Sequence, residues 1–273
     1  MTETPSDKPS PSSEQQADAA TDTAEMPFLE HLLELRQRLL YSVAAVVLLF
    51  FPIYFILGNS LYEFIAEPLL VNLPGEMIAT DVTATFFAPL KLALFASVFL
   101  GMPFVLHQAW SFIAPGLYLK EKRLALPLLI SSIALFYFGI AFAHFAVFPL
   151  VFTFFASVTP EGVSMMPDIT SYLNFVIKMF FAFGLAFEIP IATSLLVWTG
   201  FATADSLAHK RPYVVVGCFV VGMLMTPPDV VSQIMLALPT WGLYELGILI
   251  ARRIKPAQQD EQDEAASAAE QKT

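Results

Sequence analysis

Residues Phe28 to Leu57 read FLEHLLELRQRLLYSVAAVVLLFFPIYFIL. In the first part Phe28, Leu32, Leu35 and Leu39 recur at helical spacing, while Glu30, Glu34 and Arg38 stand four residues apart on the opposite face. From Leu39 onward the run is apolar and carries no charge. One helix therefore starts at a membrane surface and then enters the bilayer. It presents carboxylates at the entrance, where a cationic partner can dock.

Composition agrees with that reading. Of 273 residues 56% are hydrophobic and only 14% charged, with 26 phenylalanines and a mean hydropathy of +0.65, above the ~45–50% apolar usage of soluble domains. The class is a polytopic membrane protein. The net charge of -10 belongs to the ends: Met1–Glu25 and Pro256–Thr273 together carry eleven acids and two bases, whereas residues 26–255 carry thirteen acids and twelve bases. Rich in Pro, Ser, Gln, Ala and Glu, residues 1–25 and 256–273 are expected to be disordered tails around a membrane domain at 26–255. The first 25 residues lack the basic and apolar regions of a secretory signal, so the first membrane helix is expected to be retained.

Six apolar segments follow, roughly 38–57, 89–112, 124–147, 173–199, 213–226 and 232–251. A helix needs ~20 residues to cross ~30 Å of hydrocarbon, and only the fifth falls clearly short. Ten basic residues, Arg36, Arg38, Lys120, Lys122, Arg123, Lys210, Arg211, Arg252, Arg253 and Lys255, fall on one side of this layout. The other side has only Lys91 and Lys178, just inside helix ends, among acidic loops. The excess of Lys and Arg predicts that both termini and the basic loops are cytoplasmic. On the opposite side Ser60–Leu70 reads as a short interfacial helix ending near Pro68 whose loop continues through Pro74 and Gly75 to Thr85, and this stretch is expected to form a cap with the segment from Phe148 to Tyr172. Pro52, Pro103, Pro127, Pro190 and Pro239 lie inside the expected helices, where each removes a backbone bond, so the six helices are expected to be kinked and to form a curved, concave bundle.

Enzyme chemistry has little to stand on here. Cys218 is the only cysteine, the four histidines are scattered, and neither a GxxxxGK[ST] loop nor a GxSxG elbow is present. The reading is of a protein that is not an enzyme and holds no metal or cofactor. Energy is then left to binding, the proton-motive force or a partner's ATPase. Glu188, in FAFGLAFEIPIA, has no basic residue within a turn, which makes it either a functional group at membrane depth or a protonated glutamate hydrogen-bonded to a neighbouring helix. Glu245, under two turns from Arg252, reads as a snorkelling residue. Glu121 alone is a loop charge, and Glu34 with Arg38 alone is a surface ion pair adding ~0.2–0.5 kcal/mol.

Five stretches, FLEHLLELRQRLL, IATDVTATFFAPLK, QAWSFIAPGLYLKEKR, FGLAFEIPI and KRPYVVVGCFVVGMLMTPPDVVSQ, occur in this order. They resemble TatC, the largest subunit of the twin-arginine protein translocase, over about residues 26–255. The resemblance implies a receptor in the bacterial cytoplasmic (inner) membrane for signal peptides bearing consecutive arginines on folded cargo. It matches the family's recognition carboxylates to Glu34 and Glu121, with Arg36 and Phe112 in the same site. Two carboxylates suit two guanidiniums, whose planar forks pair in a way lysine cannot reproduce. Arg36 and Arg38 then orient the carboxylates or anchor the helix to anionic lipid.

Glu188 matches the family's intramembrane glutamate. The fifth helix looks like the family's docking surface for single-span TatA- and TatB-type subunits, which implicates Tyr213, Val216, Gly217, Val220, Met223, Asp229 and Gln233. Gly217 and Gly222 are expected to allow close helix approach. Several copies are expected in the complex, and membrane lipid but no nucleic acid as a partner. The rival from the residues alone is a proton-coupled small-molecule transporter using Glu188, although the six segments show no internal repeat of the kind such carriers often have.

Overall fold

The computed structural model describes residues 13–71, 77–113, 122–160, 163, 166–225 and 230–253. The described chain is helical apart from loops and one isolated bridge. α1 (Ser13–Leu70), α2 (Ala84–Ile113), and α3 (Lys122–Phe142) with α4 (Phe148–Val158) are followed by α5 (Ile169–Ala186), α6 (Ile189–Trp198), α7 (Ala204–His209), α8 (Arg211–Met225) and α9 (Val230–Ala251). Five stretches are long and apolar enough to cross a membrane: His31–Leu57, Ala84–Phe112, Leu126–Val158, Ile169–Trp198 and Val230–Ala251. The sixth expected span corresponds to α8, which is a shorter apolar helix.

α1 starts inside the segment expected to be a tail, because Ala, Glu and Gln are strong helix formers as well as disorder-prone residues. Residues 1–12 and 254–273 lie outside the described residues. A second correction concerns Ser60–Leu70, which is no separate interfacial helix but the uninterrupted end of α1. Tertiary packing overrides the weak Gly58-Asn59 break: Ile65, Ala66 and Leu69 are buried, and the Tyr172 hydroxyl donates to the Ile65 carbonyl.

The proline expectations divide. Pro52, Pro103, Pro127 and Pro239 sit in helices that run on without interruption. At Pro190 the helix does break: Phe187 and Glu188 form a turn, with the Glu188 amide donating to the Leu185 carbonyl at 3.1 Å. Pro149, near the start of α4, follows a π-helical turn at Ala143–Val147, a widening that accommodates the missing donor.

α1 packs along α2, α3 on α5, and both α6 and α8 on α9. The span containing α5 and α6 is the most enclosed and that of α1 the least, so α5–α6 is the central post. Around it lies a phenylalanine-rich core of Phe95, Phe99, Phe136, Phe148, Phe180 and Phe183 with Leu92, Leu173 and Met179. Where α3 crosses α5, Gly139 and Gly184 let the backbones meet. A Cβ on Gly139 would stand 2.6 Å from the Phe183 carbonyl, and one on Gly184 would stand 2.6 Å from the Phe136 ring. An apolar cleft of about 440 Å³ opens between α1, α2, α3 and α5, lined by Ile53, Phe64, Phe95, Phe99, Tyr137 and Phe180 among others.

At one end of the bundle the loops are stitched together. Ile78 and Asp168 form a parallel bridge, with Ile78 N–H donating to Pro167 and Ile169 N–H to Ile78. Asp168 caps α5 by accepting from the Ser171 amide at 2.9 Å, and also accepts from the Thr80 amide and hydroxyl. Those three donors pull its carboxyl down to about 2. The two segments expected to form a cap therefore do meet, with the Tyr62 hydroxyl reaching Met77 beneath them.

Candidate functional site

At the opposite end, α1 brings Glu34 to the surface one turn before Arg38. Arg38 donates to Glu34 Oε1 from Nε at 3.0 Å and from Nη2. Glu34 Oε2 faces His31 Nδ1 at 3.8 Å. The His31 ring lies flat on Phe112, with centroids 4.1 Å apart and planes at 15°. Phe112 occupies the last turn of α2, so Glu34 and Phe112, 78 positions apart in the chain, meet through His31. Arg36 is exposed, two residues and about half a turn from Glu34. Arg38 is the arginine that holds the carboxylate. Glu121 lies outside the described residues, immediately before α3 begins at Lys122.

Deeper in the bundle, Glu188 sits at the turn between α5 and α6, half-buried. The Ser132 hydroxyl of α3 donates to Glu188 Oε2 at 2.8 Å, and the Trp110 indole of α2 donates to Ser132 Oγ at 3.2 Å. Glu188 Oε1 is buried without a hydrogen-bond partner. The carboxylate thus has one oxygen committed and one in reserve. Trp110 stands two residues before Phe112, so this relay ends within a turn of the first cluster. Sequence reasoning missed Ser132 and Trp110; a serine pair in LLISSIALF and a tryptophan at the end of an apolar span were the available signals.

On α8 the expected docking residues Tyr213, Val216, Val220 and Met223 are all exposed, with Tyr213 79% exposed. They share a face, while Cys218 and Gly222 turn inward. Gly222 allows the close approach expected of it: a Cβ there would stand 3.1 Å from Gln233 Cγ. Gly217 does not, since nothing lies within 4 Å of its would-be Cβ. The five-residue offset between the two glycines carries them to different sides of the helix. Gln233 belongs to α9 and donates to the Phe219 carbonyl at 2.8 Å, fastening the two helices. Asp229 lies outside the described residues.

Glu245 is a further correction. It does not reach toward Arg252 but takes Arg211, at the start of α8, in a two-pronged pair at 2.6 and 2.7 Å. Arg252 instead lies 3.9 Å from Asp205 of α7. The Tyr244 hydroxyl donates to the Leu207 carbonyl at 2.8 Å, so α7, α8 and α9 are tied together at this end.

Comparison with known proteins bears on the whole arrangement. The Sec-independent protein translocase protein TatC of Azotobacter chroococcum mcd 1 is 57% identical over 233 residues, covering 85% of this chain and 91% of that protein. Its counterpart in Escherichia coli (strain K12) is 50% identical over 228 residues, covering 83% and 88%. A crystal structure of the twin arginine translocase receptor TatC superposes with a TM-score of 0.75 at 36% identity, over 81% of this chain and 98% of that one. The family model described as Sec-independent protein translocase protein (TatC) matches residues 30–239, from the entrance carboxylates of α1 to the middle of α9. The chain is thus a multi-pass membrane component of protein transport and belongs to the TatC family.

Proposed function

We propose that this chain is the receptor and core subunit of a twin-arginine translocase in the bacterial inner membrane. It spans the membrane six times, with both termini in the cytoplasm. It binds the Arg-Arg signal peptides of folded cargo at the end carrying Glu34 and Phe112, and assembles with TatA- and TatB-type single-span subunits. The carrying observation is the entrance cluster: a surface carboxylate aimed by Arg38, beside an aromatic ring contributed by a second helix. Guanidinium recognition calls for such a pair, a carboxylate in plane and an aromatic face. Glu121, on the connection between α2 and α3, supplies the second carboxylate in this reading. The apolar part of the signal peptide then follows the bundle surface inward.

The α8 face is the docking surface for the single-span subunits. Fifteen residues give about 22 Å of helix against ~30 Å of hydrocarbon, and Pro212 limits extension at one end. Such a mismatch favours bilayer thinning or lateral association. Arg211, paired to Glu245, fixes one end of that surface. The free oxygen of Glu188 offers a polar partner to an incoming subunit.

The deciding experiment is retention of an Arg-Arg signal peptide and its Lys-Lys version on the purified protein. The parent retains the first and not the second. Glu34→Ala weakens binding by about 1–2 kcal/mol, the discount reflecting a side chain 36% exposed. Glu121→Ala also weakens binding, and Glu121→Lys more so. Normal binding and export by both alanine variants would remove the assignment. A proton-coupled transporter using Glu188 would bind neither peptide; the apolar cleft is lined without Glu188, Ser132 or Trp110.

A further inference from the structure

Both oxygens of the Glu34 carboxylate already face nitrogen-bearing side chains of the same helix. Arg38 takes Oε1, and His31 stands 3.8 Å from Oε2, within ion-pair reach but beyond a hydrogen bond. The same imidazole covers Phe112 in a nearly parallel stack. A flat ring lying on an aromatic face with a carboxylate at its edge has the arrangement in which a guanidinium binds, since arginine stacks on aromatic rings and meets carboxylates in its own plane. From within the chain, His31 fills a slot shaped for a planar cation.

We propose that His31 is an intramolecular stand-in for an arginine of the incoming peptide, and that binding displaces its ring from Phe112 and Glu34. This rests on the receptor reading above. The contact is built to yield. The His31 side chain is 53% exposed, and exposed pairs contribute little, so displacement costs the peptide a modest amount. Meanwhile the ring covers Phe112 and keeps Glu34 turned toward the slot. The displaced contact is common to every peptide that takes the slot and so sets affinity, while discrimination comes from the incoming side chain: an arginine offers a planar fork for both the stack and the carboxylate, a lysine ammonium only a point charge.

The test is a titration of the intact protein in nanodiscs with fluorescent Arg-Arg and Lys-Lys signal peptides. His31→Ala and His31→Gln should bind the Arg-Arg peptide ~2–5-fold more tightly, the range an exposed pair with one stack accounts for. Both should gain by a similar factor for the Lys-Lys peptide, since the displaced contact is common to the two, leaving the ratio between them near the parent's. His31→Arg, a permanent planar cation in the slot, should bind the Arg-Arg peptide more weakly than the parent. Parental affinity in all three variants would overturn displacement, and so would weakening by His31→Ala and His31→Gln comparable to that of Glu34→Ala. Should Glu34→Ala itself bind as the parent does, the place of Glu34 in the receptor site fails and this inference fails with it. With Glu34 dependence intact, a negative result falls on His31 alone.

Discussion

Ser132→Ala isolates the relay that holds Glu188. In the parent, Ser132 donates to Glu188 Oε2 at 2.8 Å while accepting from Trp110 at 3.2 Å, and Glu188 Oε1 has no hydrogen-bond partner. Removing the hydroxyl therefore leaves a half-buried carboxyl with neither oxygen bonded and a buried indole N–H without its acceptor. Each of the two hydrogen bonds contributes ~0.5–1.5 kcal/mol, or ~1.5–3 kcal/mol where the carboxyl is charged, so Ser132→Ala should destabilise by about 1–4 kcal/mol. Trp110→Phe, which keeps most of the ring, should cost about 1 kcal/mol. Glu188→Gln retains an acceptor for Ser132 and should be the mildest. Thermal unfolding in detergent ranks the three, and export of a folded reporter with an Arg-Arg signal ranks function. Glu188→Ala should lower export and crosslinking of single-span subunits to Val216 or Val220 while leaving peptide binding within about twofold, under ~0.5 kcal/mol. If Glu188→Ala abolished peptide binding with that crosslinking unchanged, Glu188 would belong to the receptor site. A Ser132→Ala protein as stable as the parent would refute the relay.

Three further outcomes follow from the fold. Gly139→Ala should destabilise by about 1–2 kcal/mol, because crowding against the Phe183 carbonyl at 2.6 Å outweighs a gain in helix propensity of ~1 kcal/mol, whereas Gly217→Ala meets open space and should be neutral or stabilising. Thermal midpoints shifting the same way in both would contradict the crossing geometry. With its folded value depressed to about 2 from 3.8, Asp168 contributes its full stability above about pH 4 and loses it as pH falls through about 2. The gap in thermal midpoint between the parent and Asp168→Asn should therefore be flat above pH 4 and shrink toward pH 2; a gap unchanged at pH 2 would count against the cap. In a Cys218→Ser background, cysteines at Asp81 and Pro160 should react with an impermeant reagent outside spheroplasts while those at Lys122 and His209 stay unlabelled, and outside labelling at Lys122 would reverse the proposed orientation.

What the sequence made legible is what repeats along one helix. The spacing of Leu32, Leu35 and Leu39 against Glu34 and Arg38 announced the face on which the Glu34–Arg38 pair forms, and uncharged runs near twenty residues announced the long helices. Glu188 stood out for the same reason, as a carboxylate with no local partner. Proline marked positions along helices more than their ends. Pro190 coincides with a break, whereas Pro52, Pro103, Pro127 and Pro239 stand inside continuous helices, where each removes one amide donor from the ladder.

The contacts that stayed hidden all join residues far apart in sequence. Arg211 and Glu245 are 34 residues apart, Ser132 and Glu188 are 56, and His31 meets Phe112 across the first two apolar runs and the loop between them. Periodicity ranks candidates along a helix but cannot choose between Arg252, seven residues on and just past the end of the same helix, and Arg211 on the preceding one as the partner of Glu245. That choice is set by the close approach of α8 to α9, where Gly222 meets Gln233. The entrance site follows the same logic. Its carboxylate is written in one helix, its aromatic face arrives with another, and the histidine between them acquires a role only once α1 and α2 pack side by side.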